Sequence, residues 1–363
     1  MPFTSLTRTN PVPSSSRRRG DLASSRRRRM TGTVRVLSVT GAVLAGTLAV
    51  AWTSASAASS PPNLAGVTIT FGDQVDQYQT IVNATDTLKG AAYTVSWSNF
   101  IGGPPIIAAE VGGSVDLGDM AETPTIFAQA AGDQVKVIAT TEGVGKGSPY
   151  GVLVPPNSPI KTAAELRGHT IAVQEGTVEQ YVLVKVLAAA HIPYSAVTIV
   201  NLNIVAGEAA LESGDVDAWV GSQPFIALVT QAGKGVVIPT AAASAKVFGY
   251  LTAPVSALDN PKEAAAISDF VLRLYKSEAI LRKDPALAIA TYSKTYGVSE
   301  SVAAAAVKST QEIGTPLTPA IIAYQQQEAN AFYSLHLLSA KLNVSSVFDL
   351  SLNKKISQAA GLG

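Results

Sequence analysis

Short β-branched runs and longer amphipathic runs take turns along this chain, the pattern of strands alternating with helices. Val67–Phe71 reads as a strand, followed by a loop at Gly72-Asp73-Gln74 and a helix reaching Leu88. Tyr93–Trp97 is the next strand. A helix at 104–112, a strand near 116–118, a helix at 122–131 and a strand at Val135–Thr140 continue the alternation. Pro155-Pro156-Asn157-Ser158-Pro159 then punctuates the chain. Beyond it a second run begins with a short helix at Ala163–Leu166, a strand at Thr170–Val173 and a helix at Thr177–Ala190. A strand at Thr198–Asn201, a helix at Ala206–Ser213, a strand at Ala218–Val220 and a helix at Pro224–Ala232 follow. Strands are expected at Val236–Ile238 and Val247–Leu251. From Asn260 onward only helices are expected, at 260–282, 284–296, 298–308 and 317–340.

Such alternation implies an α/β fold with largely parallel sheets. Two α/β lobes are expected, joined near Val152–Pro155 and again near Gly249–Pro254. Residues 58–154 form the first part of lobe one, 155–248 form lobe two, and 249–363 return to lobe one and add C-terminal helices. Ligands of open α/β sheets bind beyond the carboxyl ends of the strands. In a two-lobed clamp those ends face one cleft, which closes on its ligand by hinge motion.

Residues 1–57 stand apart as a signal peptide and N-terminal extension. Arg26–Arg29 form a basic segment, Val34–Trp52 an apolar one, and Ala55-Ser56-Ala57 a small-residue cleavage site. The competing reading is an uncleaved membrane anchor. Paired arginines without a clean twin-arginine pattern leave the export route open, and Met30 is an alternative start. The leader also distorts the overall charge of +1: nine arginines and one acid precede Ala58, so the body carries a formal charge of −7. An acidic body does not suit nucleic acid. The sequence has no cysteine, which excludes thiolate metal sites, cysteine nucleophiles and a lipid-anchored cysteine.

The stretch from Trp97 to Gly132 carries the most suggestive chemistry. Phe100-Ile101-Gly102-Gly103-Pro104-Pro105 leads into one helix, and Ala121-Glu122-Thr123-Pro124 leads into another. Helix N-termini present unpaired N–H groups and partial positive charge, so two side by side suit an anion. Gly176-Thr177 repeats the arrangement in the second lobe.

In this setting the run WSNFIGGPPIIAAEVGGSVDLGDMAETPTIFAQAAG resembles the first-lobe signature of the nitrate/sulfonate/taurine-type substrate-binding proteins of ABC importers. VLVPPNSPIKTAAELRGHTIAVQEGTVEQYVLVKVLAAAHI resembles their lobe crossover, and ALESGDVDAWVGSQPF their later second-lobe signature. The similarity spans about residues 66–253 and is greatest to the aliphatic-sulfonate branch. It implies a type II periplasmic-binding-protein fold and an exported, monomeric protein without cofactor. It also implies delivery of a small anion to a membrane permease driven by an ATPase. One departure stands out: Ser222-Gln223-Pro224 replaces the Trp-Asp-Pro of many members, so a neutral amide stands where a carboxylate would meet an amino group.

The candidate ligand-binding residues are Gln74, Phe100, Gly102, Gly103, Glu122, Thr123, Ser148, Tyr150, Gly176, Thr177, Trp219 and Gln223. Gln74 offers an amide donor or is a solvated turn residue. Glycine at 102 and 103 lets a ligand approach the backbone, whereas Phe100 there is either lining or core. Thr123 offers a hydroxyl and an amide to an oxyanion. Glu122 either complements the helix dipole or selects a ligand with a cationic end. Ser148 and Tyr150 offer hydroxyls at the crossover, and Thr177 is a donor that doubles as an N-cap. Trp219 packs on an alkyl chain or belongs to the core.

Catalytic signals are lacking. His169, His191 and His336 have no metal-ligand spacing, and neither a nucleophile elbow nor a phosphate-binding loop occurs. The alternative reading is a clamp-fold enzyme or sensor related to thiamine-precursor (pyrimidine) synthesis or binding proteins. The enzyme branch depends on cysteines that this chain lacks.

Overall fold

The strand and helix signals resolve into two sheets flanked by helices. The computed structural model describes residues 62–240, 246 and 248–359, and these belong to one compact unit. The leader and its cleavage site lie outside the described residues.

The first lobe opens with β1 (Thr68–Gln74), α1 (Gln77–Thr85), β2 (Thr94–Phe100) and α2 (Gly103–Val111). It continues with β3 (Leu117–Ala121), α3 (Thr123–Ala131) and β4 (Val135–Gly143). The second lobe holds β5 (Tyr150–Val154), β6 (Thr170–Val173), α4 (Val178–Ala189) and β7 (Thr198–Asn201). It ends with α5 (Ile204–Ser213), β8 (Ala218–Ser222), α6 (Phe225–Gln231) and β9 (Val236–Val237). The chain then returns through β10 (Phe248–Pro254), α7 (Val255–Asp259), α8 (Pro261–Lys283), α9 (Pro285–Tyr296) and α10 (Glu300–Ser309). β11 (Glu312–Thr315), α11 (Pro319–Ser334) and α12 (Asn353–Ala359) complete it.

The first sheet runs β11-β4-β10-β3-β1-β2 and the second β7-β6-β8-β5-β9. β1 is parallel to β2 and β3, and β6 is parallel to β7 and β8. Each sheet also contains an antiparallel strand where the chain arrives from the other lobe. β10 is antiparallel to β3 and β4, and β5 is antiparallel to β8 and β9.

Three expectations are corrected here. Tyr150–Val154 pairs in the second sheet, so the crossover falls before Tyr150 and not at 154/155. The C-terminal part is not helices alone, because Glu312–Thr315 adds an edge strand to β4. Four residues with one glycine among them carry too short a pattern to be read as a strand. The last long helix stops at Ser334 and not at 340; the Leu335 amide donates back to the Ala331 carbonyl and His336 turns to φ 59°.

Apolar burial follows the strand pattern. Ile69 and Phe71 of β1 meet Tyr78 of α1 and Phe270 and Leu274 of α8 in the first core, with the Phe71 and Phe270 rings edge-on at 5.4 Å. Val152, Ile171 and Val173 meet Val182, Leu183 and Val186 of α4 in the second. A further apolar cluster bridges the lobes, with Tyr181 of α4 packed on Ile126 of α3 and Phe332 of α11.

Helix N-termini fall into two groups. Asn203, Asn260, Asp284, Ser299 and Thr318 accept backbone N–H bonds at the starts of α5, α8, α9, α10 and α11. In α1 the Asp73 carboxylate does this work, accepting from the Tyr78 and Gln79 amides at 2.9 and 2.7 Å. By contrast, α2, α3 and α4 start without a side-chain cap. Capping satisfies otherwise orphaned donors, so its absence leaves donors for another acceptor.

Candidate functional site

A cleft of ≈ 470 Å³ lies between the lobes, walled by residues from both sheets. The carboxyl ends of β1, β3 and β8 reach it, where Gln74, Ala121 and Ser222 stand. From the first lobe α2 contributes Gly102 and Gly103 at its entry, and from the second α4 contributes Thr177, Val178 and Glu179. The two uncapped helix starts thus open into one space from opposite walls.

Glycine is required at the first of these starts. A Cβ on Gly103 would stand 2.5 Å from Pro124 Cγ and 3.0 Å from Met120 Cβ, so only glycine lets the entries of α2 and α3 touch. Gly102 has φ 88°, the left-handed region that disfavours side chains, and Gln174 from the other lobe approaches it closely.

Of the twelve residues expected here, Gln74, Gly102, Gly103, Tyr150, Thr177, Trp219 and Gln223 line the cleft. The Gln74 amide is already engaged, donating to the Asp119 carbonyl at 3.2 Å. Thr177 spends its hydroxyl on the Gln174 carbonyl at 2.7 Å, which leaves its backbone end of the helix to face the cleft. Tyr150 keeps its phenolic proton, since burial raises its pKa well above the ordinary value.

The remaining five do not line it. Thr123 and Glu122 are fully buried, and the Thr123 hydroxyl donates to the Glu328 carboxyl of α11. Glu122 is therefore neither dipole partner at a wet helix end nor selector of a cationic ligand. Burial raises both carboxyls, with repulsion from Glu312 adding to it at Glu122 and repulsion from Glu122 adding to it at Glu328. Phe100 packs against Ile106 and Val115 as core. Ser148 accepts from the Tyr150 amide at 3.1 Å, and the Gly176 amide donates to Gln180 Oε1 at 2.8 Å. Trp219 is only partly a lining residue. Its ring is 1% exposed and lies against Gly207 and Gly221, where an added Cβ would come within 2.7 Å of it.

Sequence reasoning missed Gln174, Glu179, Lys246, Gln311 and Glu312. Gln174 stands just past the carboxyl end of its strand and Gln74 at the end of its own, so the same rule would have found it. Glu312 opens the unexpected edge strand, and Gln311 immediately precedes it.

Cleft electrostatics are unusual for an anion site, because Asp119, Glu142, Glu179 and Glu312 all line it against one lysine, Lys246. Lys246 is exposed and lies 3.9 Å from Glu142. Burial acts against this conflict at three of the four carboxyls. It pushes Asp119 well above the usual carboxylate range, with Asp73, Glu312 and Glu278 adding repulsion. Burial also raises Glu312 and Glu179, the latter opposed by hydrogen bonds from Ser222 and from its own backbone amide. A protonated carboxyl donates a hydrogen bond and no longer repels an anion.

Comparison with known proteins identifies relatives of the chain. The NMT1/THI5-like family matches residues 105–253. An aliphatic sulfonates-binding protein of Escherichia coli (strain K12) is 30% identical over 306 residues, covering 83% of this chain and 93% of the relative. The crystal structure of the periplasmic aliphatic sulphonate binding protein from Escherichia coli superposes with a TM-score of 0.66 at 26% identity, over 77% of this chain and 97% of that one. The alkanesulfonate-binding protein from Xanthomonas axonopodis pv. citri, bound to MOPS, gives a TM-score of 0.72 at 24% identity, over 78% and 99%.

Proposed function

The chain belongs to the family of aliphatic sulfonate-binding proteins, and on that premise we propose that it captures one small organic sulfonate between its lobes. The start of α2 carries this reading, because no side chain caps it; the start of α4 faces it without an N-cap bond, although the Glu179 carboxyl takes its own backbone amide there. A sulfonate offers three oxygens in a tripod, which suits donors converging from opposite walls. Neutral dipoles hold an anion well when preorganised, and they release it without breaking an ion pair.

Gly102, Gly103, Tyr150 and Thr177 contribute donors or backbone access in this reading, and Gln174 and Gln223 add amides. Hinge motion between the lobes opens the cleft, and the loaded clamp delivers its ligand to the permease and ATPase of an ABC importer. The protein works outside the cytoplasm as a monomer. Among the described residues no helix is long and apolar enough to cross a membrane. The cleft binds and does not transform its ligand. Its described lining contains no histidine, and burial shifts the carboxyls of Asp119, Glu179 and Glu312 upward.

A calorimetric panel of alkanesulfonates, taurine, nitrate, sulfate and thiamine-precursor pyrimidines tests the proposal. Saturable binding of sulfonates in preference to the rest supports it. Preferential binding of the pyrimidines, or consumption of any ligand, overturns it.

A further inference from the structure

Lys246 is the single basic side chain among the described residues lining the cleft, set there against Asp119, Glu142, Glu179 and Glu312. It stands on the segment by which the chain returns from β9 to β10, two residues ahead of Phe248. Two contacts fix its place. The Tyr324 hydroxyl donates to its backbone carbonyl at 3.2 Å. Phe248 pairs with Glu142 across β10 and β4, and the Lys246 ammonium lies 3.9 Å from the Glu142 carboxylate. Both side chains remain open to water, at 66% and 40% exposure. At that separation the two meet as charges, beyond hydrogen-bond range, so this contact leaves the three ammonium donors to another acceptor. An exposed pair of this kind is also weak, and it exchanges partners readily.

Resting on the reading of a sulfonate-binding clamp, we infer that Lys246 is a ligand-binding residue whose ammonium meets the anion in the cleft, with Glu142 competing against the anion for it. The charges of the cleft call for such a group. Carboxylates on the wall repel an approaching anion, and oriented amides act only at close range. A positive charge open to water draws the anion past them. Lysine suits this task, being a compact charge on a flexible stem that can leave one partner for another. The neutral donors at the helix starts then seat the sulfonate. As the anion leaves, Glu142 takes the ammonium back, so neither charge is stranded.

Calorimetric titration with methanesulfonate at low salt and at about 1 M salt tests the inference on the intact chain, alongside Lys246→Met, Lys246→Arg and Glu142→Gln. At low salt Lys246→Met is expected to bind about tenfold more weakly than wild type and Glu142→Gln about threefold more tightly, with Lys246→Arg within about twofold. At about 1 M salt, where charges are screened beyond about 3 Å, the deficit of Lys246→Met should shrink below about twofold. A side chain that acted only on the fold would give the same deficit at both salts. Both positions are open to water, so the melting temperatures should stay near that of wild type. Undiminished affinity of Lys246→Met at low salt overturns the inference alone. So does a deficit that salt does not change, or a Glu142→Gln chain that binds no more tightly than wild type. Absence of sulfonate binding by the wild type overturns the functional proposal itself.

Discussion

The Thr123 hydroxyl donates its hydrogen bond to the Glu328 carboxyl of α11, and both side chains are fully buried. The bond ties the start of α3 to the C-terminal helices and draws Thr123 away from the cleft. Thr123→Val keeps the shape and removes the donor, leaving a buried carboxyl short of a partner. Stability should fall by about 1–3 kcal/mol, read as a lower melting temperature. Sulfonate affinity should change by less than about twofold. Loss of binding at an unchanged melting temperature would return Thr123 to the site.

Buried carboxyls elsewhere predict an unusual dependence of stability on pH. Glu110 accepts from the Thr252 hydroxyl at 2.8 Å, and burial pushes its pKa up to about 8. Glu278 accepts from the Tyr78 hydroxyl, and burial with the nearby Glu312 lifts it to about 8 as well. These groups hold their protons more tightly in the folded chain than in the unfolded one. Their contribution is complete below the unfolded pKa and is lost as pH rises through the folded value. The melting temperature should therefore decline between about pH 5 and 9, and Glu110→Gln should flatten that decline. A melting temperature that rises over this window would contradict the assignment.

Gly103 tests the contact between helix starts. In Gly103→Ala the new methyl meets the Pro124 ring and must push α2 away from α3. Displacing the α2 amides should weaken sulfonate binding by about tenfold, as if one charge-assisted bond had lost about 1.4 kcal/mol. Titration calorimetry reads this directly; undiminished affinity would show that the α2 start does not touch the ligand.

Trp219 separates floor from ligand contact. Its ring fills the space between Gly207 and Gly221, within a cluster that includes Leu211 and Val229. Trp219→Ala should cost about 3–5 kcal/mol of stability, as large buried truncations do. A stable variant that fails only to bind would place the ring on the ligand.

How far the sequence revealed this protein differs from element to element. The parallel strands were legible because runs such as Thr170–Val173 are buried on both faces and bounded by turn residues. Capped helices were legible for a similar local reason, Asn260-Pro261 at the start of α8 being an example. β11 was hidden because its strand character comes from pairing with β4, a relationship across more than a hundred and fifty residues. The same holds for Thr123. Its neighbourhood in sequence looks like a ligand-binding helix start, and only the arrival of Glu328 from α11 converts it into a structural contact. Glycines 102 and 103 were expected to let a ligand approach the backbone, whereas the close neighbours observed are Pro124 and Met120 at Gly103 and Gln174 at Gly102.

The most direct measurement is titration of the protein with butanesulfonate, with the ligand recovered and identified afterwards. One molecule should bind per chain and return chemically unchanged, with no sulfite released. Heat-silent titration across the alkanesulfonates, or recovery of a desulfonated product, would contradict the account.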